Sequence, residues 1–298
     1  MINFMKWKWL YFAISLVVII PGVISLIFFG FKQSIDFTGG TILQVMITPK
    51  ENQSLNEETI KQSLGDTLQL DELRTNKGLV TLRTKPIDII QKEKAITALQ
   101  RSFKTVEEVS FETVGPTLGK ELLTKTLIAM LLSAGGITLY VAYRFSELKY
   151  GVCAVLAMLH DSLVLLGIFS LFGKFLGVQV DTLFVTAVLT ILSFSVHDTI
   201  VVYDRIRELR KKSMGLSYVD VINTAVTETM SRSINNSMAI IFMLFVLWLL
   251  GGDSMKWFAL ALLIGTITGT YSSTFTAAPL LVVWSDIIGG YKRRKKGI

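Results

Sequence analysis

Asp198 and His197 stand in SFSVHDTIVVYDRIRE (residues 193–208), at the end of a long apolar run, and His160 and Asp161 stand inside another. Carboxylates are costly there. A charge at the centre of a lone membrane span costs about 3 kcal/mol on insertion scales, so it calls for a partner or a water-filled cavity. Helical rise puts Asp198 about 9 Å inward from Asp204, on the cytoplasmic half. Thr190, Ser193 and His197 recur at i, i+3 and i+7 to make a polar stripe, with Asp198 on its flank and the hydroxyls of Ser195 and Thr199 nearby. Farther along, Thr229, Arg232, Ser233, Asn236 and Ser237 repeat at helical spacing, a polar face expected to turn toward the protein interior.

This spacing makes Arg232 the expected partner of Asp198, with both near the inner ends of adjacent spans. Two readings stay open. A buried ion pair fixes helix register. Alternatively, the pair relays protons: burial and a nearby guanidinium act in opposite senses on a carboxyl's proton affinity, so a small change in their separation moves a proton. A membrane potential supplies about 2.3 kcal/mol per charge per 100 mV, enough to bias a two-state element. His160 and Asp161 lie near mid-membrane as accessory polar groups. The two His-Asp dipeptides resemble metal-hydrolase motifs only superficially, because two histidines in the whole chain make a poor ligand set. Gly265 and Gly269 form a small-xxx-small packing face, and Pro279 is expected to kink its helix. These three are candidate packing or gating positions. No catalytic, metal-binding or cofactor-binding residue is expected; the coupling ion would be the proton.

The elements that must position these groups follow from composition. The 298 residues have a mean hydropathy of +0.54, with 51% apolar and 18% charged residues, which points to a membrane protein. Six runs approach the roughly 20 residues that cross a hydrocarbon core: 10–29, 122–143, 150–172, 183–203, 234–250 and 257–284. Lys6, Lys8, Arg144, Lys149 and the Arg205 to Lys212 cluster fall on one side of these spans, whereas Lys174 and Lys256 fall on the other. The positive-inside rule then places both termini in the cytoplasm. The first run lacks a small-residue cleavage site and is expected to remain as an anchor. The net charge of +7 clusters beside membrane ends, which suits anionic lipid and gives no support for nucleic acid. Cys153 lies in the third run, so the outer segment carries no disulfide.

Residues 32–121 have ordinary charge density and parse as strand, helix, strand, strand, helix, strand, the order of a ferredoxin-like βαββαβ unit. Ser54 and Glu57 form an expected capping box for a helix reaching Leu64, and Asn76-Lys77-Gly78 is an expected hairpin turn. The segment Gly115-Pro-Thr-Leu-Gly119-Lys120 is one residue short of a phosphate loop and lacks the Ser or Thr after lysine, which argues against ATP binding. The expected organisation is therefore a cytoplasmic N-terminus with the first span (1–31), an extracytoplasmic ferredoxin-like domain (32–121), five further spans with a basic cytoplasmic loop near 204–225 (122–286), and a basic cytoplasmic tail (287–298).

Five motifs carry a resemblance: Ile-Asp-Phe-Thr-Gly-Gly at 35–40, Val-Gly-Pro-Thr-Leu-Gly at 114–119, His-Asp at 160–161, Ser-Val-His-Asp-Thr-Ile-Val-Val-Tyr-Asp-Arg-Ile-Arg-Glu at 195–208 and Gly-Thr-Tyr-Ser-Ser at 269–273. In this order and over nearly the whole chain they resemble the SecF subunits of the bacterial SecD/SecF protein-export complex, a branch of the resistance-nodulation-division superfamily. The resemblance implies a protein of the bacterial inner membrane that is not an enzyme. With SecD, it would use the proton motive force to promote preprotein translocation through the SecY/SecE/SecG channel, fed by SecA, and to release the unfolded chain on the outer side. It also implies YajC and YidC as neighbours, Asp198 as the family's membrane aspartate and Arg232 as its membrane arginine. Two positions depart from the family pattern: His197 replaces a frequent Asn, and Asn236-Ser237 stands where Thr-Ser is usual. His197 is thereby a candidate relay member. A proton-driven exporter of a small molecule or lipid on the same core is the alternative, and a purely structural subunit is a third reading.

Overall fold

The structure is a computed structural model that describes residues 3–50, 54–145, 147–212 and 215–295. A short 3-10 turn, Phe4–Trp7, leads into α1 (Lys8–Phe28). The outer segment then runs α2 (Ile35–Thr38), β1 (Gly40–Thr48), α3 (Glu57–Leu64), β2 (Leu70–Asn76), β3 (Leu79–Thr84), α4 (Ile89–Ser102) and β4 (Thr105–Val114). The remainder is helical: α5 (Pro116–Arg144), α6 (Leu148–Phe175), α7 (Thr182–Lys212), α8 (Tyr218–Leu250), α9 (Asp253–Ser272), a π-helical turn (Ser273–Ala277) and α10 (Ala278–Lys295). Among the described residues, six helical stretches are long and apolar enough to cross a membrane, the last being 255–287 through the π turn. The chain divides into two units, Gln33–Ile128 and the rest.

Within the outer unit the sheet order is β2-β3-β1-β4, with every neighbouring pair antiparallel, the ferredoxin-like arrangement that the element order anticipates. Alternation along β1 sends Leu43, Val45 and Ile47 inward against Ile60, Leu64 and Leu99 of α3 and α4. The β2–β3 hairpin turns at Lys77 and Gly78, whose φ values of 47° and 91° are both left-handed; this suits a right-twisted two-residue turn and explains glycine at its second position.

One cap differs from expectation. Helix α3 begins at Glu57, with Asn56 as N-cap and Thr59 completing a capping box. Glu57 is thus the first helical residue and cannot reach back as a third. The Ser54 carbonyl instead accepts a hydrogen bond from Thr59 Oγ1 at 3.1 Å. The motifs at 35–40 and 114–119 also acquire a physical role. A Cβ on Gly39 would lie 2.8 Å from Pro116 Cα, and one on Gly119 would lie 2.8 Å from the Gly39 nitrogen. Glycine at these two positions lets the start of α5 touch the backbone after α2, so the phosphate-loop-like segment is a packing motif.

In the membrane unit α1 lies on α6: the closest approach is at Gly22 and Gly167, and the Ser25 and Ser170 hydroxyls meet at 2.8 Å. The basic loop expected near 204–225 is mostly helix. α7 continues to Lys212 and α8 starts at Tyr218, because Arg205–Glu208 and Glu208–Lys212 pairs at i,i+3 and i,i+4 support the extension. Residues 213–214 and 296–298 lie outside the described residues, so the end of the expected basic tail does as well. Pro279 is the second residue of α10, one past the C-cap Ala278 of the π-helical turn. A proline lacks the N–H and its ring crowds the preceding turn, which suits a π-helical turn just before it.

Candidate functional site

Several buried polar groups of the membrane unit are joined by side-chain hydrogen bonds between helices. Asp161 on α6 is fully buried and accepts from Ser195 Oγ on α7 at 2.5 Å and from Ser272 Oγ on α9 at 2.6 Å. Its neighbour His160 folds its ring back so that Nδ1 lies 2.9 Å from Asp161 Oδ1, although successive helical positions diverge by about 100°. The other ring nitrogen, Nε2, lies 2.9 Å from Ser15 Oγ on α1. Four elements are thus tied to one imidazole–carboxylate pair. Its hydrogen bonds match the rule that buried polar groups are paired.

One turn along α7, Asp198 is buried and accepts a short hydrogen bond from Ser233 Oγ of α8. Ser237, one turn farther on α8, accepts from Thr270 Oγ1 of α9 at 2.6 Å. Thr199 donates to the Ser195 carbonyl of its own helix at 3.0 Å, so its hydroxyl is used locally. Gly265 and Gly269 let α9 meet α7 closely: a Cβ on Gly265 would lie 2.0 Å from Ile191 Cδ1, and one on Gly269 would lie 3.2 Å from Phe194 Cδ1. These glycines hold the helix carrying Asp198 against the one carrying Ser272.

The expected Asp198–Arg232 ion pair is absent among the described residues. The reason is angular. With Ser233 turned toward Asp198, Arg232 one residue earlier is rotated about 100° away, and it lines a cavity of about 650 Å³ with Asp204, Arg205, Glu208 and Glu228 near the inner ends of α7 and α8. Arg205 spans this cavity, 2.5 Å from both Glu228 and Glu208. The polar face of α8 also splits: Thr229, Ser233 and Ser237 are buried within the chain, whereas Arg232 and Asn236 are exposed. The stripe on α7 behaves likewise, for Ser193 and His197 are exposed and Ser195, Asp198 and Thr199 are buried. Exposed polar groups on two neighbouring spans point to a further protein surface, since lipid cannot pair them. Sequence reading expects polar contacts from Thr270-Tyr-Ser-Ser273, which Thr270 and Ser272 make, without naming their partners; Ser15, which meets His160, it misses. A hydroxyl in an apolar helix is a weak signal, because it can bond its own backbone.

Six spans, a ferredoxin-like outer domain and a line of buried carboxylates across α6 and α7 define a polytopic transport-type membrane protein. A family model described as "Protein export membrane protein SecD/SecF, C-terminal" matches residues 94–286, and one for the SecD/SecF GG motif matches 24–50. The chain is 41% identical to the protein translocase subunit SecF of Thermobaculum terrenum, over 96% of this chain and 95% of that one. It is 32% identical to the SecDF of Bacillus subtilis, over 94% of this chain but 38% of that one. The crystal structure of SecDF from Thermus thermophilus, described as a translocon-associated membrane protein, superposes with a TM-score of 0.83 at 31% identity, over 96% of this chain and 39% of that chain. The chain belongs to the SecD/SecF family of protein export membrane proteins. It is accordingly a multi-pass protein of the bacterial inner membrane, with an extracytoplasmic domain between α1 and α5.

Proposed function

We propose that this chain, paired with a SecD-type subunit, converts proton movement through the membrane unit into work on a preprotein leaving the SecY channel, with Asp198 as the carboxyl that takes up and releases the proton. The observation that carries this reading is the placement of Asp198. It is buried, held to the adjacent helix by one serine hydroxyl, and flanked by the polar groups of His197 and Arg232 on surfaces that this chain leaves uncovered. A carboxyl held by a single neutral donor can change protonation at lower cost than one locked in an ion pair. Arg232 lines the cavity at the inner helix ends, and a rotation of α8 that brought it toward Asp198 would favour the carboxylate once the proton leaves. Asp161 and His160, held on every side, serve as the fixed frame and His197 as an accessory relay group.

The longer relatives named SecDF, of which this chain matches 38%, support a SecD-type partner on the exposed faces of α7 and α8. SecY, SecE, SecG and SecA, with YajC and YidC, are the further partners this reading implies. In the outer domain, β2 and β4 are edge strands, which offer backbone hydrogen bonds to an extended chain. Its cavity of about 590 Å³ is lined by Asp71, Glu72, Arg83 and Lys85 among others. A lining of four charged residues with Thr38, Gly39, Pro86 and Pro116 can take the mixed polar and apolar side chains of an unfolded polypeptide. The test is preprotein translocation into inverted vesicles containing the SecD-type partner, with and without a proton gradient. Asp198→Asn is expected to assemble normally and to lose only the gradient-dependent increment; wild-type behaviour from an assembled mutant would defeat the proposal.

A further inference from the structure

At the cytoplasmic end of the membrane unit a cavity of about 330 Å³ is lined by Lys149, Arg210, Leu216, Tyr218, Val221 and Ser285. The start of α6, the end of α7, the start of α8 and α10 all contribute. Two cations converge on one ring: Lys149 Nζ is 5.1 Å and Arg210 Cζ 5.5 Å from the Tyr218 centroid. Lys149 also lies 4.9 Å from the Tyr150 ring. Like charges held this close repel unless an anion stands between them.

Glu147 supplies part of the compensation, 2.8 Å from Lys149 and 3.4 Å from Arg210. The Lys149 hydrogen bond holds the Glu147 carboxyl below the usual carboxylate range, so it is already ionised at neutral pH. Two cations against one carboxylate leave the cluster positive. The buried hydroxyls of Tyr150 and Tyr218 face each other, and that of Tyr150 also faces Arg210, but neither makes a hydrogen bond of good geometry among the described residues; Tyr150 itself is fully buried. Tyr218 opens the 33-residue helix α8, whose N-terminal end favours an anion. The one acid of that turn, Asp220, is engaged by the Ser217 hydroxyl at 2.6 Å.

We propose that this cavity binds the phosphate of an anionic phospholipid headgroup from the inner leaflet. Lys149, whose side chain is only 15% exposed, is the fixed half of the cradle; Arg210, 49% exposed, is the half that closes over the phosphate. The Tyr218 phenol, covered in the free protein, turns toward the cavity to donate to a phosphate oxygen, and the exposed Leu216 serves the first acyl carbons. Lys149 directly precedes the third apolar run, and Arg210 stands about 9 Å past Asp204 by helical rise, which puts the cradle within reach of headgroups on the cytoplasmic side. Basic pockets between spans on this side are suited to such headgroups.

The test is native mass spectrometry of the full chain released from micelles holding equal dioleoyl-phosphatidylglycerol and dioleoyl-phosphatidylcholine. Wild type should retain phosphatidylglycerol preferentially. Arg210→Gln and Lys149→Gln should each weaken its retention about tenfold, and Tyr218→Phe about threefold. Lys212→Gln, which removes a charge outside the cavity, should leave it unchanged. Thermal unfolding screens the variants, and Tyr218→Phe, which keeps the ring, preserves the test if a charge variant misfolds. Equal loss from Lys212→Gln and Arg210→Gln would show diffuse attraction and overturn the site, as would no preference in wild type. Displacement by inorganic phosphate at concentrations equal to the lipid's would assign the cradle to a soluble anion and defeat the lipid proposal.

Discussion

Two buried aspartates, one on α6 and one on α7, differ in how firmly they are held. Asp161 accepts from Ser195, from Ser272 and from the His160 ring if Nδ1 carries the proton, so removing it leaves several buried donors without an acceptor. Asp161→Ala is expected to destabilise the protein by about 3 kcal/mol or more, given about 1–3 kcal/mol per orphaned group, read as a fall in Tm in detergent. Asp198 has one serine donor, so Ser233→Ala should cost only about 1–3 kcal/mol by the same measure. If Ser233→Ala proved as damaging as Asp161→Ala, the contrast drawn between frame and relay would collapse. The sequence exposes both carboxyls, because Asp in an apolar run is conspicuous. It does not reveal that Ser233 rather than Arg232 faces Asp198, since residues one apart on a helix differ by about 100° and spacing alone does not set the phase.

Among the elements, α9 and its π-helical turn press against α7 through Gly265, where an added Cβ would lie 2.0 Å from Ile191. Gly265→Ala should therefore destabilise the membrane unit by about 1–3 kcal/mol through overpacking. Gly135→Ala on α5, where a Cβ meets nothing within 4 Å, should be neutral within about 0.5 kcal/mol; equal Tm shifts for the two would refute the close α7–α9 contact. In the outer domain, Asn56→Ala should cost about 1 kcal/mol as a lost N-cap and should speed amide exchange in Glu57–Leu64 more than in Ile89–Ser102. The two longer helices, the strands and the hairpin of this domain were legible from periodicity and from Asn76-Lys77-Gly78, whereas the four-residue α2 was not. The cap was not, because Ser54 and Asn56 are both good caps and only the backbone decides between them. Pro279 signals a disturbed helix, but the π form depends on neighbours that no local pattern specifies.

At the scale of the whole molecule, α5 and α8 bury little of their length within this chain, whereas α6 and α7 bury more than half of their most apolar stretch. The polar groups Ser193, His197, Arg232 and Asn236 lie on the uncovered side. The periodicity shows that Thr229, Arg232, Ser233, Asn236 and Ser237 share one broad face, but a single sequence cannot divide that face between its own core and a partner. A cysteine at position 236 should cross-link to a SecD-type subunit in native membranes, while one at the lipid-like Leu250 should not; the reverse pattern would relocate the interface. The central claim is that Asp198 changes protonation in the working complex. Infrared difference spectra of that complex on a pH jump test it most directly. A carboxylic-acid C=O band that disappears in Asp198→Asn and persists in Ser193→Ala is the predicted result; a band unchanged in Asp198→Asn would mean that another group carries the proton.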